Sequence, residues 1–394
     1  MAGGAKGDEA IRIRIRFGRR HTVTAAVRAP HVLMTTDAVG GVWSYATGLS
    51  RGLIRRGVRV TLAVLGPRMS APQRLEIAAI PGLDVEECDL PLDWMAEGRD
   101  ELQRSGAALA DMAASSGADL LHLNSPALVA EHAFRLPVLA FCHSCLASWW
   151  DAVRGDALPG EFAWHRETLR RAYDRADLLA APSIAFAAAT QRLYGLPRMP
   201  RHVPNGLDAP IAAAPRRAPA HGFTAGRLWD EGKGIATLDQ AAALLPFPVH
   251  AAGPVRAPDG HHIAAPHLRL DGQLDRAALQ GKLAERPIFL SAARYEPFGL
   301  AVLEAAQAGC PLVLGDIPTF REIWGGAADY VRPGDAAGFA EAALRLASDP
   351  RLLRARGKAA RHRARRFSEN RMVEGTLMLY RDICAAFRRT EVPA

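Results

Sequence analysis

The chain has 394 residues, of which 49% are hydrophobic and 23% are charged, and its formal net charge is +8. This length exceeds what one ordinary hydrophobic core can organise, so we expect two domains of a soluble globular protein. Runs of about 18 apolar residues do not occur, which excludes a membrane-spanning helix, and the N-terminus lacks the apolar stretch of a signal peptide.

The cysteines and the positive charge narrow the class of protein further. Five cysteines, an odd number, are scattered along the chain, which predicts a reducing, cytoplasmic location without a disulfide framework. The excess charge is mostly arginine spread along the chain, and no basic module interleaved with aromatic residues stands out, so nucleic acid is not an expected partner. Peripheral contact with the inner membrane face stays open, because a basic surface attracts anionic lipid.

Residues 1–28 form a basic extension that differs from the rest of the chain. The run from Ile11 to Arg16 alternates apolar and cationic residues, and this period of two favours an extended strand. The sequence leaves open whether the segment is an added edge strand, an anion-binding arm or a misassigned start.

The regular part of the chain begins at His31 with alternating strand and helix patterns. A buried strand at His31–Met34, a helix at Val42–Arg56 and a strand at Val58–Leu65 make one β-α-β unit. Further strand patterns occur at 120–123, 138–141 and 178–181. Residues 29–205 are therefore predicted to form one domain with a doubly wound parallel sheet.

The same alternation resumes after the turn-rich segment Val203–Gly206. Strand patterns occur at 222–225, 249–252, 287–290 and 312–315, with helical patterns between and after them. These predict a second domain over residues 206–366, and an amphipathic helix follows at residues 369–387. In sheets of this kind, ligands bind at the carboxyl ends of the strands, which here would face a cleft between the domains.

Two glutamates separated by seven residues carry most of the functional information. Glu296 is predicted to lie on the loop after a buried strand, and Glu304 a little over one turn inside a helix that begins near Gly299. Two such carboxylates can hold two hydroxyl clusters of one ligand, and the free amides of the helix start would face a phosphate between them.

A glycine-containing loop from Gly226 to Gly234 supplies Arg227 and Lys233. A guanidinium and an ammonium on one loop can converge on a diphosphate. The loop is not a P-loop, because five residues rather than four separate its first two glycines and Gly234 stands where a hydroxyl residue would hold magnesium.

Weaker signals follow the predicted first-domain strands. Gly40 and Gly41 allow close approach of a backbone to a phosphate or sugar, but they lack the spacing of a dinucleotide fingerprint. Cys142 and Cys145 have redox spacing, yet no second Cys/His pair accompanies them, which disfavours a metal or redox role. His143 lies between these cysteines, and from the residues alone a structural role is favoured.

The run from Tyr295 to Leu300 followed by Glu304 resembles the Glu–seven residues–Glu motif of the retaining family-4 glycosyltransferases. The 226–234 loop looks like their Arg/Lys pair, and the resemblance covers about residues 30–388. Segments 203–208, 271–274 and 318–326 are similar to their hinge, their base-lining segment and the region after the motif. The chain departs from the family at Ala292–Ala293, where Pro-Ser is frequent, and at Gly253–Pro254.

The resemblance implies a GT-B fold, in which an acceptor-side and a nucleotide-sugar-binding Rossmann-like domain face each other and a helix at residues 367–388 crosses back to the first domain. It implies retaining transfer of a sugar from a nucleotide-diphosphate sugar to a hydroxyl of a glycan, a lipid-linked glycan or a small molecule, without a metal or other cofactor. The implied catalytic residues are Glu296, His143, Arg227 and Lys233. The implied donor-binding residues are Gly40, Gly41, Arg227, Lys233, Gly272, Gln273, Glu296, Phe298, Gly299, Leu300 and Glu304.

Two other functions stay open at this stage, besides a weaker third one, a basic nucleic-acid binder. One is a sugar-nucleotide epimerase or hydrolase on the same fold. The other is a catalytically silent, transferase-like binding subunit, against which the intact set of Arg227, Lys233, Glu296 and Glu304 argues.

Overall fold

The computed structural model describes residues 29–93, 95–208, 221–257 and 260–391. The strand predicted at residues 11–16 and the rest of the basic extension lie outside these residues. Within the described part, the chain forms two parallel sheets, one in each half.

The first half contains a seven-stranded sheet. Its elements are β1 (His31–Asp37), α1 (Gly41–Ile54), β2 (Arg59–Leu65), α2 (Ala71–Ala78), β3 (Leu83–Glu87), α3 (Arg99–Ser116), β4 (Leu120–Leu123), β5 (Val138–Phe141), α4 (Leu146–Val153), α5 (Ala163–Arg175), β6 (Leu178–Ala181), α6 (Ile184–Tyr194) and β7 (Arg201–His202).

The strand order is β3-β2-β1-β4-β5-β6-β7, with all neighbours parallel. Alternate residues of β1 enter different cores because successive side chains of a strand point to opposite faces. Val32 and Met34 pack in one cluster with Leu49 of α1, whereas Leu33 packs in another with Leu109 of α3. Helices therefore cover both faces, which is the predicted doubly wound arrangement.

The second half repeats this architecture with a six-stranded parallel sheet in the order β10-β9-β8-β11-β12-β13. Its elements are β8 (Gly222–Ala225), α7 (Ile235–Ala243), β9 (Val249–Ala252), β10 (Arg269–Gly272), α8 (Arg276–Ala284), β11 (Ile288–Ser291), α9 (Leu300–Ala308), β12 (Leu312–Gly315), α10 (Pro318–Trp324), β13 (Asp329–Val331), α11 (Ala336–Ser348), α12 (Pro350–Ala364) and α13 (Glu369–Glu391).

The last helix, α13, packs against the first half. Met372 and Tyr380 are buried in the same cluster as β1 and α1, and the hydroxyl of Tyr380 lies 2.7 Å from Nδ1 of His122 in β4. At its start, the buried carboxylate of Glu369 accepts from Arg55, which follows α1, at 3.0 Å. The helix thus connects the end of the second half to the core of the first.

Both sheets have a position where the strand order reverses, and these positions locate the site. The reversal falls between β1 and β4 in the first sheet and between β8 and β11 in the second. Ligands of open α/β sheets bind beside the carboxyl ends of the strands at such positions. The loops that follow β1, β8 and β11 carry Gly40, Arg227 and Glu296, which are three of the residues singled out by the sequence.

Candidate functional site

The two loops at the reversal point of the second sheet are fastened to each other. Nζ of Lys233 donates to Oε2 of Glu296 at 2.6 Å, and both side chains are largely buried. The carbonyl of Gly232 accepts from the amides of Arg294 and Tyr295 at 2.9 and 3.3 Å. These backbone and side-chain bonds join the loop at residues 226–234 and the loop that carries Glu296 into one unit.

Arg227 faces the first half of the chain from the same unit. Its Nη2 donates to Oδ2 of the buried Asp230 at 3.1 Å, and its side chain keeps 38% exposure. A Cβ placed on Gly40 would lie 3.9 Å from Nη1 of Arg227. The glycine loop of the first half and the guanidinium of the second therefore face each other, as expected of groups that share one ligand.

The loop after β1 is held by Asp37. Oδ1 of Asp37 accepts from the amides of Val39 and Gly40 at 2.8 and 3.2 Å. Burial raises the pKa of Asp37, while those two amides and the charge of Arg227 act in the opposite direction. The carboxylate shapes the loop that carries Gly40 and Gly41, a role that its sequence pattern does not indicate.

The start of α9 requires a glycine. Gly299 has φ +95°, a left-handed conformation that side chains disfavour, and a Cβ there would lie 3.1 Å from the ring of Phe320. Leu300 follows, and its Cδ1 would lie 3.5 Å from a Cβ on Gly41. The first amides of α9 thus lie beside the glycine loop of the other half, where helix starts favour anions.

The ring of Phe298, a residue that the family resemblance implies in donor binding, lies in the core of the second half. It is only 2% exposed and packs edge-on against Phe367, with centroids 5.6 Å apart. Because the ring is buried, a ligand at this turn can contact only the backbone of Phe298.

Glu304 has no hydrogen-bond or ion-pair partner among the residues that the structure describes. Burial raises its pKa to about 7, and the positive charge of Arg276 opposes that shift. Some of its side-chain surface is still exposed. A crowded carboxylate without a partner is suited to accept hydroxyl groups from a ligand.

His143 is held in a single orientation at the end of β5. Its ring stacks on Phe141 at 4.5 Å between centroids, and its Nε2 lies 2.8 Å from Oδ1 of Asn124. Asn124 donates through Nδ2 to the carbonyl of Thr35 at 2.6 Å, so its oxygen must face the histidine. His143 therefore carries its proton on Nε2 and keeps a lone pair on Nδ1.

Burial lowers the pKa of His143 to about 3, with a smaller contribution from the neighbouring His122. The imidazole is consequently neutral near pH 7. The sequence missed Asn124 although one signal was present, since a polar residue directly follows the apolar strand β4 at the reversal point.

The residues that the family resemblance implies beside the nucleotide base lie farther from this unit. Gly272 and Gln273 are exposed at the end of β10, two strands away from β8 in the sheet. The carbonyl of Gly272 accepts from the amide of Gly253 at 2.8 Å, which ties this end to the loop after β9. Both residues lie on the carboxyl side of the sheet, and within the described part of the chain neither forms a hydrogen bond with Lys233 or Glu296.

The Cys142–Cys145 segment is part of the first-half core. Both thiols are free and buried; Cys142 Sγ lies 2.9 Å from the hydroxyl of Tyr173. Among the described residues, no group of three or more His, Cys, Asp or Glu side chains is arranged to hold a metal ion. Within the same residues, no helix has both the length and the apolar character needed to cross a membrane.

Helices of the first half contact the second half beside this unit. The hydroxyl of Tyr295 lies 2.7 Å from Oγ of Ser148 in α4. Glu322 of α10 accepts from the amides of Ile184 and Ala185, at the start of α6, at 2.9 and 2.6 Å. The indole of Trp149 in α4 also contacts the second half, because its Nε1 donates to Oδ1 of Asp230 at 3.0 Å.

Comparison with known proteins gives matches for both halves. Residues 39–209 match the model of Glycosyltransferase Family 4, and residues 221–349 match the model of Glycosyl transferases group 1. The chain is 35% identical over 175 residues to the glycogen synthase of Mycobacterium tuberculosis strain H37Rv, which covers 40% of this chain and 42% of that protein. The chain thus matches less than half the length of this curated relative.

Two solved structures match over most of the chain. The sucrose-phosphate synthase of Thermosynechococcus elongatus has a TM-score of 0.74 at 20% identity and covers 91% of this chain and 100% of its own. Anabaena Alr3699/HepE, solved in complex with UDP-glucose, has a TM-score of 0.70 at 18% identity and covers 88% and 99%. At this identity the likeness shows the fold, and it confirms the predicted GT-B arrangement of two Rossmann-like domains.

Proposed function

Because the chain belongs to the family-4, group-1 glycosyltransferases, we propose that it moves a sugar from a nucleotide-diphosphate sugar to an acceptor hydroxyl with retention of anomeric configuration. The observation that carries this proposal is the Lys233–Glu296 pair at the reversal point of the second sheet, 2.6 Å between the charged atoms. The UDP-glucose bound to the Anabaena relative supports a sugar nucleotide as donor.

The cations and amides of the unit fit a leaving diphosphate. As the bond between the sugar and the diphosphate breaks, negative charge grows on the diphosphate oxygens, and donors aimed at them stabilise the transition state. Arg227, Lys233 and the first amides of α9 lie around one place that the Gly40–Gly41 loop closes from the other half. These residues are proposed to bind the diphosphate and to bear its developing charge, with no metal required.

The two glutamates are proposed to bind different parts of the donor. Glu296, held by Lys233, would accept a hydroxyl of the donor sugar and stabilise the positive charge that develops on it. Glu304, which has no partner in the described residues, would accept the ribose hydroxyls. Ribose and sugar would then lie on either side of the diphosphate, along the start of α9.

His143 is proposed to position the sugar rather than to carry charge. Its neutral ring presents the Nδ1 lone pair, since Nε2 is occupied by Asn124. A neutral imidazole can accept a sugar hydroxyl without repelling the cation-like transition state. The acceptor proton would then pass to the leaving diphosphate during attack from the same face of the sugar.

A donor panel tests the proposal and its alternatives. We expect one of the UDP-, GDP- or ADP-sugars to raise the melting temperature of the protein, because a ligand that binds only the folded state stabilises it. Arg227→Ala should reduce that shift. Product analysis with the selected donor and a panel of glycan, lipid-linked and small-molecule acceptors should then yield a new glycoside. A free sugar or an epimer as the sole product would favour a hydrolase or epimerase, and donor binding without any product would favour a silent binding subunit.

A basic stripe on α12 supports peripheral contact with an anionic membrane surface. Its exposed basic residues recur every three or four positions, so they share one face of the helix over about 21 Å. Among the described residues these side chains form no ion pair, while Ala360 on the opposite face is buried. The stripe consists of Arg351, Arg354, Lys358, His362 and Arg365.

Vesicle sedimentation tests this contact. The protein should bind vesicles that contain phosphatidylglycerol but not vesicles of phosphatidylcholine alone, and binding should weaken with salt. Arg354→Glu/Lys358→Glu should abolish binding, whereas Arg170→Glu/Arg192→Glu, which changes the same number of exposed charges in the first half, should not. If both double variants lose the same amount of vesicle binding, binding depends only on net charge and the assignment to α12 is wrong.

A further inference from the structure

The start of α4, directly after His143, surrounds the hydroxyl of Tyr295 from the other half. Tyr295 Oη lies 3.0 Å from Oγ of Ser144, 2.7 Å from Oγ of Ser148 and 3.4 Å from the amide of Cys145. Oγ of Ser148 already donates to the carbonyl of Cys145 at 2.9 Å, so Tyr295 must donate to Ser148. The amide of Cys145 donates in turn to Tyr295. The phenol hydroxyl thus both donates to and accepts from groups at the start of α4.

One residue further along α4, a second side chain binds the other donor loop. Nε1 of Trp149 donates to Oδ1 of Asp230 at 3.0 Å. The same carboxylate accepts from the amide of Gly232 at 2.9 Å and, through Oδ2, from Arg227 at 3.1 Å. A Cβ on Gly232 would lie 2.9 Å from Nε1 of Trp149, so this loop and the indole fit closely.

These contacts join a first-half helix to both loops that carry the proposed donor groups. Tyr295 directly precedes Glu296, and Asp230 is the partner of Arg227. The Gly232 carbonyl links the loops, because it accepts from the amide of Tyr295. A displacement of α4 would therefore be transmitted to the cation and to the glutamate together.

We propose that α4 is an interdomain latch, and that Tyr295 and Trp149 are positioning residues that fix Glu296 and Arg227 for sugar transfer when the two halves close. This inference rests on the proposed function and adds a first-half element to its site. Without these contacts, the loops that carry Arg227 and Glu296 could shift relative to the first half after the two halves close. Misplacement of reacting groups by about 1 Å can cost about 100-fold in rate.

Tyr295→Phe and Trp149→Phe test the latch because each removes the hydrogen-bonding group and leaves an aromatic ring, which in Trp149→Phe is smaller than the indole. We expect kcat to fall roughly tenfold in each variant, while donor KM changes less than about threefold, since the lost interaction orients groups in the transition state. The double variant should lose much less than the product of the two single effects, as residues that act as a unit do.

Glu322→Ala is the matched control, because Glu322 also binds the first half but contacts α6 rather than α4. It should lower the melting temperature at least as much as Tyr295→Phe and leave kcat near the wild-type value. If Tyr295→Phe and Trp149→Phe keep wild-type kcat, or if Glu322→Ala lowers kcat equally, the latch is wrong and the transferase assignment stands.

Small-angle scattering gives a readout that does not depend on transferase activity. The latch requires Tyr295→Phe/Trp149→Phe to have a larger radius of gyration than the wild-type protein in the absence of donor. Glu231→Gln should not, because it removes only the charge of a solvent-exposed pair with Arg154 at the far end of α4. If the wild-type protein transfers no sugar from any donor, the proposed function fails and this comparison still decides the latch. An unchanged radius in the double variant would overturn it.

Discussion

The two halves of the molecule contribute different kinds of group to the site. The second half supplies the charges, with Arg227, Lys233 and Glu296 on two loops that are bonded to each other. The first half supplies neutral groups that orient, such as Asn124, which fixes the tautomer of His143. The charged groups proposed to stabilise the transition state thus belong to the second half, and the neutral groups that orient side chains of the site belong to the first. This difference predicts a graded set of mutational effects.

The largest effect is expected from loss of a cation. Lys233→Ala should lower kcat roughly 100- to 1,000-fold, because removing one donor to a developing negative charge has an effect of this size. It also leaves Glu296 without its partner. Steady-state kinetics with the selected donor provide the measurement, and Lys358→Ala on α12 is the control for loss of a lysine. A variant at position 233 with more than about a tenth of wild-type kcat would contradict the assignment of charge to the second half.

An intermediate effect is expected from the protonation of Glu304. Its pKa is raised to about 7 by burial, so the carboxylate that accepts ribose hydroxyls forms only as the pH rises through that value. Nucleoside diphosphate should bind about tenfold more tightly at pH 8 than at pH 6. Isothermal titration calorimetry should show this dependence in the wild-type protein. In Glu304→Gln, binding should be weak at both pH values; the same tenfold dependence in that variant would rule out Glu304 as its source.

The raised pKa of Glu304 also predicts how folding stability changes with pH. A carboxyl with a raised pKa in the folded state binds protons more tightly there than in the unfolded chain, so folding stability decreases as the pH rises from about 4.5 to about 7. Chemical unfolding of the ligand-free protein over this range should show Glu304→Gln losing less stability than the wild-type protein. Identical slopes for the two proteins would contradict the shift.

The smallest effect is expected from the orienting amide of the first half. Asn124→Ala should lower kcat by about fivefold, because His143 loses the acceptor for its Nε2 proton and can adopt the other tautomer, while its ring stays packed on Phe141. Asn370→Ala, on the exposed start of α13, should have no effect. A loss at Asn124 as large as that at Lys233 would remove the distinction between charged and orienting halves.

Much of the fold could be predicted because buried parallel strands read as short apolar runs. The patterns at 31–34, 120–123 and 287–290 correspond to β1, β4 and β11. The apolar patterns do not reveal β3, whose residues LDVEE are mostly exposed at the sheet edge, or β7, which has two residues. Nor do they reveal helices α2 to α6, since α3 buries small residues such as Gly106 rather than a clear apolar stripe.

The charged part of the site was predictable and the orienting part was not. Glu296, Glu304, Arg227 and Lys233 sit in short motifs whose spacing has a chemical reason. Trp149 shows no such pattern, because its function depends on Asp230, which is 81 positions away along the chain. Such pairs form only when the two halves pack, and one sequence carries no trace of which tryptophan meets which carboxylate.

The anomeric configuration of the product tests the central claim most directly. The wild-type protein, its selected donor and an acceptor should be followed by proton NMR beside Glu296→Gln, in which the partner of Lys233 loses its charge. We expect a glycoside with the same anomeric configuration as the donor from the wild-type protein and at most a trace from Glu296→Gln. An inverted product, or equal product from both proteins, would contradict retaining transfer at the Lys233–Glu296 pair.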